Sequence, residues 1–175
     1  MFGRAPAWLL LGSLLVGGCA APAPKAGKGS DTDAEVRKAF ADFQAAVKDR
    51  SGERLYDLLD SDSRQDADRV ARAVKETYAT ADEKKKEELA KRVGLPAAKL
   101  QDLSGKTFLE SELFYRYDEH DELPDVKQLD KVDVKGDTAR VDYKDPDKPD
   151  VMMHQKLTRQ DGRWRVQVKV PPAPE

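Results

Sequence analysis

Apolar residues divide the chain beyond residue 30 into a first half with helical spacing and a second half with strand spacing. In the first half they recur three and four positions apart, as in Val36, Phe40, Phe43 and Val47, which places them on one face of a helix. From Val126 onward the period changes to two, as expected of half-buried strands. The pattern therefore predicts an α+β fold in which N-terminal helices pack on a C-terminal antiparallel sheet.

Capping residues and helix breakers set the predicted helix boundaries. The first helix begins at Asp31 or Thr32 and runs to about Lys48. Later helices are predicted from polar side-chain caps, from glycine at a helix end and from proline in a first turn. A short helix is capped by Ser51, and a helix over Arg64–Thr80 follows a polar turn at Asp60–Ser63. A charged and exposed helix over Asp82–Arg92 ends at Gly94, and Pro96 begins a short helix.

The last predicted helix begins with a Thr107–Glu110 capping box. Its buried side is predicted to consist of Phe108, Leu109, Leu113, Phe114 and Tyr117.

The alternating segments predict a meander of antiparallel strands. Gly136-Asp137 and Asp161-Gly162 are dipeptides typical of tight turns, and the prolines in the loop 145–150 exclude it from a central strand. Three strands are predicted for the meander, and a fourth is predicted near Tyr115–Glu119. The alternating segments are Leu129–Val134, which alternates poorly, Ala139–Tyr143, which places Ala139, Val141 and Tyr143 on one face, Val151–Thr158 and Trp164–Val170.

The N-terminus carries a separate apolar run. Arg4 precedes an apolar segment over Ala7–Val16, which as a helix is about 15 Å long. A bilayer-spanning helix needs about 20 residues, so the segment is too short for a permanent membrane span. A basic start, an apolar middle and small residues after it are the layout of a secretory signal.

Cys19 is the only cysteine of the chain and directly follows Val16, Gly17 and Gly18. An aliphatic residue, two small residues and a cysteine resemble the lipobox of bacterial lipoproteins. The resemblance implies a diacylglyceryl group on the Cys19 sulfur, removal of residues 1–18 as a signal peptide, and fatty acylation, such as by palmitate, of the new amino terminus. Ala20 in place of aspartate implies the outer membrane. Two alternatives stay open, an ordinary signal peptide with an incidental cysteine and a buried N-terminal helix.

The remaining chain divides into a tether and one domain. Residues 19–30 are rich in Ala, Pro, Gly and Lys and are predicted to form a lipidated, flexible tether. Residues 31–175 have a length that suits a single α+β domain. Because the single thiol is acylated in this interpretation, the domain is expected to depend on its core and not on disulfides.

The charge pattern of the sequence argues against one class of function, nucleic-acid binding. The chain has 31 Lys and Arg against 33 Asp and Glu, a net charge of −2. The charges are well mixed along the sequence, whereas nucleic-acid binding needs a basic patch. No nucleic-acid partner is therefore predicted.

Three stretches resemble the nuclear transport factor two-like (cystatin-like cone) superfamily. They are AFADFQAAVKDRSGERLYDLLDSDSR, KVDVKGDTARVDY and LTRQDGRWRV. The resemblance implies a curved sheet that wraps around helices and leaves a conical cavity. Members include isomerases, cyclases and many non-enzymatic binding or assembly domains, so the fold alone does not choose a function. The helical insert over Arg64–Leu103 is longer than such a cone usually carries.

Three stretches of the chain are candidates for chemical sites. Ser104–Thr107 ends like a phosphate-binding loop but lacks its first glycine and a preceding strand, which favours a helix cap. Met152 and His154 suit a soft metal, but Met153 between them points to the other face of a strand, which leaves too few ligands. His120 lies among carboxylates in a segment predicted to be a solvated loop.

A general acid or base inside a cone would have to come from a few polar residues. The candidates are Tyr117, Asp142, Tyr143 and His154, and Asp142 does not fit on the apolar face with Tyr143. No catalytic residue, metal site or cofactor is therefore predicted, and the protein is expected not to be an enzyme.

The sequence thus predicts a membrane-anchored bacterial lipoprotein with a non-enzymatic binding or assembly domain at the cell envelope. Its predicted partner is the lipid bilayer, through acylated Cys19, with an envelope protein or a small apolar ligand as a further partner. The alternatives are an envelope enzyme with a cone-type pocket, isomerase-like or hydrolase-like, and a structural spacer. An enzyme should show a deep cavity with a polar side chain of shifted pKa, whereas a cone filled by side chains favours a binding domain.

Overall fold

A computed structural model describes residues 29–117, 128–145 and 148–174. Within these ranges, helices come first and a sheet follows, which confirms the predicted α+β class with N-terminal helices and a C-terminal antiparallel sheet. The helices are α1 (Gly29–Lys48), α2 (Gly52–Leu58), α3 (Ser61–Thr80), α4 (Glu83–Val93), α5 (Ala97–Gln101), α6 (Gly105–Phe108) and α7 (Glu112–Tyr117). The strands are β1 (Leu129–Lys135), β2 (Thr138–Lys144), β3 (Met152–Gln160) and β4 (Arg163–Val166).

Most of the predicted helix boundaries are confirmed by their caps. The Ser51 side chain accepts a hydrogen bond from the Arg54 amide at the start of α2. The Asp82 carboxylate accepts one from the Lys85 amide at the start of α4, and Gly94 ends that helix with φ = 72°. Glycine adopts this left-handed conformation without the steric cost that a Cβ atom brings.

The predicted turn at Asp60–Ser63 is wrong, because only Asp60 precedes the next helix. Its carboxylate accepts a hydrogen bond from the Ser63 amide at 2.9 Å, so α3 begins at Ser61 rather than Arg64. An aspartate at this position satisfies a free amide of the first turn. The apparent polar turn is therefore a helix cap and the first turn of α3.

The predicted last helix is divided into α6 and α7. Ser104 caps α6 by accepting from the Thr107 amide, and the Ser111 side chain accepts from the Phe114 amide at 3.2 Å. The Thr107–Glu110 capping box is therefore wrong; Glu110 instead accepts a hydrogen bond from the Lys99 ammonium. Two serine caps seven residues apart produce two short helices.

The division also changes which aromatic residue is buried. Tyr115 is fully buried and Tyr117 is 47% exposed, the reverse of the predicted burial of Tyr117. Both residues belong to α7, so the predicted fourth strand near Tyr115–Glu119 is wrong over Tyr115–Tyr117, and residues 118 and 119 lie outside the described ranges. The strand that brings the sheet to four is instead β1, formed by the poorly alternating segment that begins at Leu129.

The sheet is an antiparallel meander with the order β1-β2-β3-β4. Its two hairpin turns are at the predicted dipeptides: Gly136 has φ = 59°, and Asp161 and Gly162 have φ = 50° and 75°. The register confirms that Ala139, Val141 and Tyr143 share a buried face. Because side chains alternate along a strand, the residues between them lie on the opposite face.

The helices cover only this apolar face of the sheet. Phe40 of α1 lies against Tyr143 of β2, with 5.7 Å between the ring centroids, and also against Phe43. The buried apolar residues of helices and strands belong to one cluster. The core therefore lies between the helical layer and one face of the sheet.

Strand β4 ends at Val166, four residues before the predicted end at Val170. Just beyond it, the Gln167 amide still donates to the Lys156 carbonyl of β3 at 2.9 Å. The main chain on either side, at Val166 and Val168, bonds to the junction between α2 and α3. The Asp60 amide donates to the Val166 carbonyl at 3.0 Å. The Ser63 hydroxyl donates to the Val168 carbonyl at 3.2 Å and accepts from the Val168 amide at 2.9 Å. This junction covers the edge of the sheet.

The fold predicts that Ser63→Ala destabilises the protein more than most serine-to-alanine substitutions do. The change removes both hydrogen bonds to Val168 and leaves a buried carbonyl and a buried amide without partners. Each unsatisfied buried group costs about 1–3 kcal/mol, so we expect the free energy of unfolding to fall by about 2–4 kcal/mol. Chemical denaturation followed by circular dichroism measures this change.

Ser61→Ala is the matched control, because Ser61 is exposed in the same first turn of α3. The one strand residue that its hydroxyl contacts is Gln160, whose side-chain amide donates a hydrogen bond to it. We therefore expect the free energy of unfolding to fall by no more than about 0.5 kcal/mol. Equal losses for the two variants would contradict the structural role given to Ser63.

Candidate functional site

Two residues singled out from the sequence lie outside the described ranges. They are Cys19, with the whole lipobox and most of the tether, and His120 in the acidic segment after α7. In the part of the chain that the structure describes, no helix is both long enough and apolar enough to cross a bilayer. The lipid attachment at Cys19 therefore stays a prediction from the sequence.

The space where the family resemblance implies a conical cavity is occupied by side chains. Phe40 and Phe43 of α1, Val141 of β2 and Leu157 of β3 are each 0% exposed. Tyr143 lies within ring contact of Phe40. The described residues thus fill the region between α1 and the sheet, and a substrate would need to displace them.

The sheet separates the four residues weighed for acid–base chemistry. Tyr143 is on the helix-covered face, and Tyr117 is exposed at the end of α7. Asp142 and His154 are directly opposite each other on β2 and β3, on the face that the helices leave open. The expectation that Asp142 does not share a face with Tyr143 is confirmed.

Asp142 is the best-connected polar side chain on the open face. Its Oδ1 lies 2.9 Å from Nδ1 of His154 and 2.9 Å from Nε of Arg140, and its Oδ2 accepts from Nη2 of Arg140 at 3.1 Å. The residue is only 7% exposed. The Arg140 guanidinium and the His154 imidazole therefore flank the carboxylate.

These contacts decide the charge of Asp142. Burial raises the pKa of the carboxyl, but the hydrogen bonds from His154 and Arg140 and their charges oppose that effect, and the net result is a lowered pKa. Asp142 is therefore an anion at neutral pH. It orients and neutralises its neighbours and has no proton to donate.

The metal and phosphate candidates have structural explanations. Met152 and His154 point to the open face while Met153 is half-buried on the helix side, as the strand alternation predicts. Among the described residues, no group of three or more His, Cys, Asp or Glu side chains is placed to hold a metal ion. Ser104 is the N-cap of α6, which confirms the helix-cap interpretation of Ser104–Thr107.

The open face of the sheet is markedly basic. By the strand register it carries seven Lys and Arg side chains and two carboxylates. The carboxylates are Asp133, whose Oδ2 lies 3.4 Å from Nζ of Lys135, and Asp142. The basic residues are Lys131, Lys135, Arg140, Lys144, Lys156, Arg163 and Arg165; we call this surface the basic face. Arg163 and Arg165 belong to the edge strand and also line the cleft between β4 and the helices, where Nη1 of Arg165 donates to the Asp57 carbonyl of α2.

The basic face was missed from the sequence, where the charges are well mixed. Its members alternate with apolar residues on four separate strands, so no linear run of basic residues announces it. The alternation alone does place two of them, since Lys131 and Arg140 fall on the polar side of the predicted strands. Only the pairing register of the strands shows that these side chains lie on one surface.

The surface also has a concave region where α1 and α2 meet β4. It is a surface cleft of about 430 Å³ whose lining includes Ala39, Leu58 and Trp164 together with side chains of both signs. Trp164 is buried, and its indole N–H has no hydrogen-bond partner among the described residues. The cleft is open to solvent and mixed in charge, so no single ligand chemistry fits it.

Comparisons with known proteins give no relative of this chain. No family model, no curated protein and no solved structure matches it.

The geometry predicts that Asp142 contributes stability that is lost in acid. A carboxyl whose pKa is lowered in the folded state contributes stability above the unfolded value of about 3.9. That contribution disappears as the pH falls through the lowered value. We expect the free energy of unfolding to fall more steeply between about pH 4 and pH 2 in the parent than in Asp142→Asn.

Denaturant unfolding at a series of pH values measures the two slopes, with circular dichroism at neutral pH to establish that Asp142→Asn is folded. Parallel slopes for the parent and the variant would mean that the contacts of Asp142 do not favour its ionised form.

Proposed function

We propose that the protein is a membrane-anchored bacterial lipoprotein whose α+β domain binds a partner at the cell envelope without catalysing a reaction. The observation that carries the proposal is the N-terminal sequence. A basic residue, a short apolar run and the lipobox Val16-Gly17-Gly18-Cys19 occur in the order and at the spacing of a lipoprotein signal. Acyl chains on Cys19 anchor the protein, and the tether separates the anchor from the domain.

The strength of the proposed anchor depends on the number of acyl chains. Each buried methylene contributes about 0.8 kcal/mol, and one chain alone gives only reversible binding. Two or three chains on a single residue make release negligible. With the absence of Asp after Cys19, where Ala20 follows, the proposal places the protein at the outer membrane.

The filled interior supports binding rather than catalysis. An active site of the cone type needs room for a substrate beside a polar group. Here the corresponding side chains, Phe40, Phe43 and Leu157, are apolar and fully buried. The surface left for a partner is the open side of the sheet and the cleft beside β4.

One contact favours the alternative of an envelope enzyme, namely the 2.9 Å contact between Asp142 and His154. A carboxylate that orients an imidazole is a common part of acid–base sites. The His154 side chain is 51% exposed on an open face, however, where water is not excluded from a reaction. An enzyme of this kind would use His154 as its acid–base group, so His154→Ala would abolish its activity.

The lipid anchor is tested with Cys19→Ser in the full chain. We expect the parent to fractionate with membranes and the variant to be released, because serine has no thiol to form the thioether. Ala20→Ser is the matched control, since it changes the neighbouring residue and leaves the thiol in place. Cell fractionation with immunoblotting measures the distribution of the three proteins.

Mass spectrometry of the purified native protein gives an independent measurement. We expect a chain that begins at residue 19 and carries the mass of the diacylglyceryl group and an amide-linked acyl chain. An unmodified Cys19 with residues 1–18 still attached would exclude the anchor.

A further inference from the structure

The basic face is unusual for a chain with a net charge of −2. Its two carboxylates are already matched, Asp133 by Lys135 and Asp142 by Arg140 and His154. Lys131, Lys144 and Lys156 are exposed and form no ion pair with any residue in the described ranges. The face therefore has positive charge that no part of the described domain neutralises.

The start of α1, to which the tether leads, lies at one end of the sheet, on the side that the helices cover. Glu35, near the start of α1, is 3.8 Å from Arg159 at the end of β3, and it lines a cleft with Gly162 and Arg163 of the second hairpin. Both hairpin turns are at this end of the sheet. The tether therefore enters the domain at the hairpin end of the sheet.

The dimensions allow the face to reach the membrane. The tether between Cys19 and Gly29 spans at most about 35 Å when extended. Strand β2 has seven residues, which is about 23 Å. A domain held by this tether can turn its whole sheet onto the bilayer surface.

The far end of the same face adds apolar contact. Val151 and Met152 are two of the three large hydrophobic side chains that are exposed among the described residues, at 43% and 44%. Met152 pairs with Lys144 across β2 and β3. Exposed apolar side chains next to lysines match a surface of anionic headgroups over acyl chains better than they match a purely polar polyanion.

We infer that the basic face docks on anionic lipid headgroups of the bilayer that holds the anchor, so that the domain lies with its sheet against the membrane and its helices toward solvent. This inference rests on the proposed function, because the anchor supplies the high local concentration of headgroups. Asp137 and Asp161 in the two turns lie at the rim of the face, where they weaken contact at the hairpin end. The docking contact is centred on Lys131, Lys144 and Lys156.

The test uses the chain from residue 19 with Cys19→Ser, which lacks the acyl groups and keeps every residue of the described core. It is mixed with vesicles of phosphatidylcholine, or of phosphatidylcholine with about a third phosphatidylglycerol, at about 50 mM salt, where surface charges are weakly screened. Sedimentation measures the bound fraction. We expect binding to the anionic vesicles only.

Combined Lys131→Gln, Lys144→Gln and Lys156→Gln is the decisive variant. Each lysine near an anionic surface contributes about fivefold to binding, so we expect the three changes to weaken binding by about a hundredfold. Arginine at the same three positions should restore it. The matched control is combined Lys75→Gln, Lys84→Gln and Lys91→Gln on α3 and α4, three exposed lysines away from the sheet, which should bind within about twofold of the parent.

Two results would overturn the inference. One is binding that ignores phosphatidylglycerol or that falls equally in the sheet variant and the helix control. The other is a loss of binding to soluble polyglutamate or an oligonucleotide in the sheet variant while its vesicle binding is unchanged, which would assign the face to an acidic macromolecule. Neither result affects the Cys19→Ser fractionation, so a failure of docking is distinguishable from a failure of the anchor.

Discussion

The hydrogen bonds between the α2–α3 junction and the end of β4 are the constraint on which the arrangement depends. An edge strand has main-chain groups that need partners, and here Asp60 and Ser63 supply them to Val166 and Val168. Both junction residues are buried, and Asp60 also caps α3. A few polar atoms therefore fix the direction of α3 relative to the sheet.

This attachment gives the sheet two different faces. The helices are held over the side that carries Val141, Tyr143 and Leu157, and the core forms there without a cavity in the cone position. The other side is left to polar residues. Since β1 to β4 place most of their charged side chains on that side, with Arg159 on the helix side as an exception, one face of the sheet is largely apolar and the other is cationic.

The two faces fit a domain that is tied to a membrane surface. Because side chains fill the core that the described residues form, the proposed recognition takes place on the outside of the domain. Asp142 limits the positive charge at the centre of the basic face by holding Arg140 and His154. The unmatched lysines lie around this cluster, and the start of α1 brings the tether to one end of the same sheet.

The sequence by itself determined features that depend on neighbouring residues: the α+β class, the caps at Ser51 and Asp82, the stop at Gly94, and both hairpin turns. The proposed lipobox is likewise a local pattern, so the prediction of lipid attachment at Cys19 depends on neighbouring residues alone. Only the tertiary structure decided that Asp60 is a cap and not a turn, that β4 ends at the junction, and that Tyr115 is buried in place of Tyr117. The basic face also required the fold, because its charges come from four strands and add up only through their pairing register.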